Sequence, residues 1–387
     1  MTPRFRSKLP DVGESVFTVY TRLALEREAI NLSQGFPEFN VPEALIDLQR
    51  KHQLAGRNQY APTEGVPALR AAIAENHRRL LGVEVDPDAE ITVTAGATQA
   101  LSTIFTTFVR EGDEVIVLEP AYDSYVPGAR MNGGVTVGVP LREDFSLDWN
   151  ALDDTLSERT RILVLNFPHN PGGSLLTDED LDRLEALAER GDFLIVSDEV
   201  YEHITFDGER SRSPIERESL RERTLRVSSF GKTYHATGWK VGYVVAPTAL
   251  AAEYRKIHQF VVFSVNTPAQ HAYAEFAENF DYYDELRAFY QAKRDRLRDA
   301  LARSGFETLP TKGTYFQLID YGGISDEADE AFAKRVIREA GVASIPLSPF
   351  YADARRAGTR LRLCFAKRDE TLDRAAERLA TFARTVG

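Results

Sequence analysis

Cysteine is almost missing from this sequence: 387 residues contain one, Cys364. A lone thiol excludes an internal disulfide framework and any multi-cysteine metal site, and a reducing cytoplasm permits it; no metal is expected. Positive charge is in short supply too. Lys and Arg number 47 against 59 Asp and Glu, a formal net charge of -12. No basic stripe with interleaved aromatics offsets it, so nucleic acid is disfavoured as a partner. Long apolar runs are also lacking. The opening MTPRFRSKLPDVGES has no apolar core of the kind a secretion signal needs, and no later run approaches a membrane span. The expectation is a cytoplasmic protein with no membrane partner. No internal repeat, low-complexity tract or flexible linker breaks the chain. A composition of 43% hydrophobic and 27% charged residues suffices for two closely packed cores of unequal size.

What is there is punctuated by short β-rich runs between Glu90 and Pro247: ITVTAG, DEVIVLEP, VTVGVPL, RILVLNF, DFLIVSDEV, LRVSSF and VGYVVAP. Several are continuously apolar, which suits strands covered on both faces. Helical patterns fill gaps between elements. From Glu64, Val66, Leu69, Ile73 and Leu80 fall near one face, with Pro67 tolerable in the first turn. Thr177 can cap a helix carrying Leu181, Leu184 and Leu187, with Asp180 well placed for the dipole. After about Asp284 long charged helices take over, separated by GTYFQLID and closed by TRLRLCFAK. The fold class expected is α/β: a large domain with a mostly parallel seven-stranded sheet flanked by helices, plus a smaller α+β domain. Residues 46–284 are assigned to the large domain, and residues 1–45 with 285–387 to the small one.

In such sheets ligands bind at the carboxyl ends of the strands, and those ends carry an ordered set of polar residues. TAGATQ brings Ala97 and Thr98 to a helix start where small residues let backbone N–H groups approach an anion. It fits neither the G-x-G-x-x-G nor the G-x-x-x-x-G-K-[ST] pattern, and close helix–strand packing explains it equally well alone. EPAYDSY sets Tyr122 where a ring can stack on a planar ligand or simply pack. PHNPGG holds Asn170 in a sequence that also reads as a plain turn. DFLIVSDEVYEH places Asp198 at the end of an apolar strand, followed by Tyr201. A carboxylate at that depth needs a partner, or its pKa rises. Last comes Lys232 in SSFGKTYHATGWK, expected in the loop after LRVSSF. A solvated amine is the ordinary fate of one lysine, but not of this combination. Pyridoxal 5'-phosphate needs an amine for its aldehyde, an anion for its ring nitrogen, donors for its phenolic oxygen, a ring face and a phosphate cradle. Each requirement has a candidate here.

The chain resembles the fold type I aminotransferases of class I/II, and within them the methionine and kynurenine–glutamine branches. NLSQGFPEF, NQYAPTEGVPALR, ITVTAGATQAL, EPAYDSY, NFPHNPGG, SDEVYEH, SSFGKTYHATGWKVGY, FSVNTPAQ, GTYF, IPLS and RLCFAK fall in the family's order along essentially the whole chain. The resemblance implies that Lys232 bonds the cofactor's aldehyde and that Asp198 partners its ring nitrogen. Tyr201 and Asn170 would bond the phenolic oxygen, and Tyr122 would stack. The phosphate would be held by Ala97, Thr98, Ser229 and Lys240, with Tyr60 reaching in from a second subunit of a homodimer. Arg362 would clamp the substrate's α-carboxylate with Asn170 and the backbone of Gly35, a role suited to a planar fork; Arg360, two residues away, is the nearest competitor for that role.

Two departures from the wider family stand out. Gly231 replaces a serine before the lysine, removing one phosphate hydroxyl, and Lys240 stands where many members have arginine. Phe17 is offered as an aromatic wall, with Phe36, Tyr60 and Tyr122 nearby; packing alone is the alternative for Phe17. An apolar pocket without a clear second arginine favours methionine or aromatic donors over aspartate. The implied reaction is ping-pong transfer of an α-amino group to a 2-oxo acid. A cysteine-conjugate or cystathionine-type β-lyase on the same scaffold stays open as the alternative.

Overall fold

The computed structural model describes residues 6–386. Residues 1–5 and 387, which belong to the expected small domain and to the opening segment, lie outside the described residues. The seven apolar runs all form strands: β1 (Ile91–Thr94), β2 (Glu114–Glu119), β3 (Val135–Pro140), β4 (Thr160–Asn166), β5 (Leu194–Asp198), β6 (Thr224–Ser229) and β7 (Gly242–Val245). They make one sheet in the order β1-β7-β6-β5-β4-β2-β3. Strand β7 runs antiparallel to β1 and β6, and the other pairs are parallel.

Among the helices that frame the two sheets are α1 (Val16–Glu26), α2 (Pro67–Leu81), α3 (Ala97–Phe108), α4 (Tyr125–Arg130), α5 (Asp178–Ala188), α6 (Asp281–Leu301), α7 (Asp329–Glu339) and α8 (Asp369–Val386). Successive strand residues point to opposite faces, yet β2 is buried along its whole length because both faces are covered. Val115, Val117, Ile162 and Val164 share a core with Leu101, Ile104 and Phe105 of α3. Ile116, Leu118, Leu163 and Leu165 share another with Leu181, Leu184 and Leu187 of α5. Each such side chain contributes roughly 1.5–3 kcal/mol relative to leaving it in water. Helix α5 starts as its sequence predicts: the Thr177 hydroxyl accepts the Asp180 N–H and the Asp180 carboxylate accepts the Thr177 N–H, satisfying donors that the first turn cannot pair internally. Pro67 opens α2, where the missing N–H costs nothing.

A second, antiparallel sheet has the order β10-β11-β9-β8, from β8 (Glu307–Thr308), β9 (Phe316–Asp320), β10 (Ile345–Pro346) and β11 (Arg360–Cys364). Its core draws on Tyr20 of α1, Leu297 of α6, Phe332 of α7 and Leu372 of α8, so the N-terminal segment completes it. Helix α6 begins at Asp281, ahead of the expected start at Asp284, with both aspartates in its first turn. The boundary drawn after 284 thus falls inside a continuous helix.

Candidate active site

The ends of β1, β4, β5 and β6 deliver the expected side chains to one cavity of about 190 Å³. Ala97 and Thr98 follow β1, Asn170 follows β4, Asp198 ends β5 with Tyr201 close behind, and Ser229 ends β6 before Lys232. Tyr122, after β2, and Lys240 complete the lining.

Lys232 lies in a single helical turn, Phe230–Thr233, instead of the irregular loop expected. That turn follows β6 directly, so the amine is aimed by regular backbone. Its Nζ donates to the Tyr315 hydroxyl at 3.2 Å, and that hydroxyl donates to the Gly35 carbonyl at 2.6 Å. Burial pushes the Lys232 amine down to about 8, with Arg362 and Lys240 adding to the effect and the Asp198 charge opposing it.

Asp198 is buried, and desolvation raises its carboxyl to about 6. The Tyr125 hydroxyl donates to Oδ2 at 2.7 Å, and the Val200 N–H is 3.3 Å from Oδ1. Asn166 braces the same loop: its side-chain amide donates to the Asp198 carbonyl at 3.0 Å and its Oδ1 accepts the Asn170 N–H at 3.1 Å. A buried carboxylate held by two donors and still raised is a group made for a cation.

The anion end forms around Gly96, whose φ of +82° is a conformation that side-chain-bearing residues rarely adopt. A Cβ there would sit 3.4 Å from Lys240 Nζ. The start of α3, the Ser229 hydroxyl and the Lys240 ammonium thus share one end of the cavity, where exposed N–H groups and the helix dipole favour an anion. Gly231, the departure from the serine pattern, has a spatial cause: a Cβ on it would come 2.9 Å from Thr237 Cα. Thr237 itself lines the cavity.

Arg362, on β11, is 1% exposed. Its guanidinium donates to Asn170 Oδ1 and to the Ser33 carbonyl, each at 3.1 Å, while Nε has no partner. Phe316, Phe17 and Phe350 surround it, with ring centroids 4.0, 5.1 and 5.9 Å from Cζ. Quadrupole attraction offsets part of the desolvation of the charge. The unpaired Nε and the two terminal nitrogens suit a carboxylate, which accepts in the plane of the fork. Arg360, two residues along the strand and so on the same face, is engaged elsewhere, 3.8 Å from the Asp320 carboxylate and over the Phe145 ring.

Not every expected residue sits in this cavity. Tyr60 is 80% exposed, edge-on to Phe263 at 5.1 Å. Phe17 packs on Arg362 and Phe350, whereas Phe36 covers Lys367 and does not extend that wall. The Gly35 carbonyl is occupied by Tyr315, and a Cβ on Gly35 would meet the Phe316 ring at 2.9 Å. Sequence reasoning missed Tyr125, Asn166, Tyr315, Phe316 and Phe350. Tyr315 and Phe316 stood in GTYF, and Tyr125 lies one turn beyond Tyr122 in EPAYDSY. That spacing was the available signal.

The family described as "Aminotransferase class I and II" matches residues 27–379. A methionine aminotransferase of Escherichia coli is 48% identical over 97% of both chains, and kynurenine–oxoglutarate transaminase 1 of mouse is 34% identical over 97% of both. The crystal structure of an Escherichia coli protein with methionine aminotransferase function superposes with a TM-score of 0.95 at 48% identity, covering 98% of this chain and 100% of that one. With Lys232 and Asp198 gathered at the strand ends and Arg362 joined to them through Asn170, the chain belongs to the class I and II aminotransferases.

Proposed function

We propose that this aminotransferase uses pyridoxal 5'-phosphate to move the α-amino group of an apolar donor, methionine or an aromatic amino acid, to a 2-oxo acid in two half-reactions. One observation supports it above all: the Lys232 amine, the Asp198 carboxylate and Asn170, which carries Arg362, converge on one cavity. The bound cofactor supplies an electron sink for charge developing at the substrate Cα. Asp198 would face its ring nitrogen, Tyr122 its ring, and Tyr201 and Asn170 its phenolic oxygen. Ala97, Thr98, Ser229 and Lys240 would take the phosphate. Lys232, with its amine held near 8, is poised to accept a proton from Cα and return it near neutral pH. Arg362 and Asn170 would hold the α-carboxylate, with the Gly35 backbone beside them, and Phe17 would wall the side chain. Residues 46–284 would bind the cofactor, and the flanking segments would contribute Phe17 and Arg362 to the substrate side.

The donor class rests on the relatives named for methionine and kynurenine and on the phenyl rings around Arg362. A screen of half-reactions, following the cofactor's absorbance, checks it. Methionine and phenylalanine are expected to exceed aspartate by at least ~10-fold in kcat/KM, the scale on which apolar pockets discriminate. Aspartate equal to or above them overturns the donor assignment.

The active unit is proposed to be a homodimer, because Tyr60, Phe260 and Phe263 are 80%, 85% and 56% exposed and exposed aromatics mark association surfaces. The partner subunit's Tyr60 would then reach the phosphate. Light scattering is expected to give a dimer mass; a monomer at micromolar concentration would sink the shared site. A cytoplasmic setting is proposed because the one cysteine, Cys364, is buried and unpaired, as a reducing compartment permits; among the described residues no helix is long and apolar enough to cross a membrane.

A further inference from the structure

A larger cavity, of about 610 Å³, adjoins the first and shares Thr98, Leu101 and Tyr122 with it. Its other side includes Phe350, which belongs to the ring of aromatics around Arg362. A side chain growing from an amino acid held by Arg362 and Asn170 therefore has this cavity open to it. Most of the wall is apolar, with Val16, Leu101, Val126 and Met131 on it. Asp123 is the exception that matters. It follows Tyr122 immediately, lines the cavity, and is held by the Ser15 hydroxyl, which donates to Oδ2 at 3.0 Å. Glu119 also lines it, but its Oε1 accepts the Ala352 N–H at 3.0 Å. Glu14 is tied to Arg22 at 2.8 Å. The one cation on the lining among the described residues, Arg130, is exposed.

We propose that Asp123 sets donor selectivity: its carboxylate faces the substrate side chain, repels a distal carboxylate and favours a side chain that ends in an N–H donor. This rests on the donor reading above and refines it. A thioether or phenyl group gains from the apolar wall and ignores Asp123. An amide or amine gains a charge-assisted hydrogen bond. A second carboxylate meets a like charge in a partly dry site, and such repulsive elements often fix specificity.

Asp123 has a plainer role to be separated from this one. Its charge and that of Arg362 stabilise each other, so it could act only by steadying the guanidinium. That role would affect every donor alike, because every donor presents the same α-carboxylate to Arg362. Methionine, glutamine and glutamate separate the two roles, being similar in length and different at the tip.

The test is kcat/KM for the three donors in wild type and Asp123→Asn, with Asp123→Ser as a second variant should the first fold poorly. The glutamate-to-methionine ratio is expected to rise at least ~10-fold in Asp123→Asn, as a repulsion becomes a neutral contact able to donate. The glutamine-to-methionine ratio is expected to fall about 3-fold, because a neutral acceptor replaces a charged one. Equal changes for all three donors, or an unmoved glutamate ratio, overturn the role of Asp123 and leave the donor class standing. Wild-type enzyme that turns over none of the three sinks the donor class itself.

Discussion

Replacing Lys232 by alanine is expected to lower kcat/KM for any amino donor by at least ~10⁴-fold, while the protein stays folded. The size follows from two roles lost together: a group bonding the cofactor's aldehyde and the base that moves the Cα proton, the latter alone giving about 10²–10⁴-fold. No neighbour can take over. Tyr315 is the hydroxyl nearest to the amine's hydrogen bond, but burial holds its proton well above the ordinary tyrosine range, so it cannot act as a base near pH 7. Lys240 is committed to the far end beside Gly96. Survival of the fold is expected because Lys232 makes one side-chain hydrogen bond and its charge is disfavoured by burial. Single-turnover kinetics and thermal unfolding check both halves. Activity within ten-fold of wild type, in protein that melts normally, removes Lys232 from the chemistry.

How much of this was legible beforehand depends on distance along the chain. Strands β1 to β7 could be read because each is a local run whose apolar continuity reports burial on both faces. The residues at their ends could be read because a strand's last residue and the next few share one location whatever the sheet order. Partnerships could not be read. Tyr125 meets Asp198 only because β4 alone separates β2 from β5, an order that no single segment encodes. Lys232, Tyr315 and Gly35 form a chain of hydrogen bonds drawn from three distant stretches. The aromatic cage of Arg362 likewise takes Phe17 from α1, Phe316 from β9 and Phe350 from the segment before β11. The helical turn at Lys232 was missed for a different reason. FGKT is too short to show a helical period, and the close approach of Gly231 to Thr237 is a contact between separate turns.

Asp198→Asn should separate function from stability in opposite directions. For function, an uncharged amide no longer favours a protonated ring nitrogen, and the half-reaction is expected to slow by at least ~10²-fold, the scale of losing one preorganised electrostatic group. For stability the sign reverses. The carboxyl stands at about 6 in the folded protein against an ordinary aspartate value of 3.8. The folded state therefore binds a proton that the unfolded chain releases more readily. That contribution is fully present below about 3.8, and is lost as pH rises through about 6. Above that, burying the ionised group costs on the order of 3 kcal/mol at most, from 1.36 kcal/mol per pKa unit. Cofactor-free Asp198→Asn is thus expected to melt higher than cofactor-free wild type at pH 7–8, with the gap closing toward pH 4. Adding the cofactor should reverse the order, since a cation beside Asp198 stabilises only the carboxylate, and ligand binding to the native state adds to stability. Thermal unfolding across pH, with and without pyridoxal 5'-phosphate, measures all of this. A normal half-reaction in the variant removes Asp198 from the ring nitrogen. A wild-type protein that gains as much from the cofactor as the variant does leads to the same conclusion without any measurement of turnover.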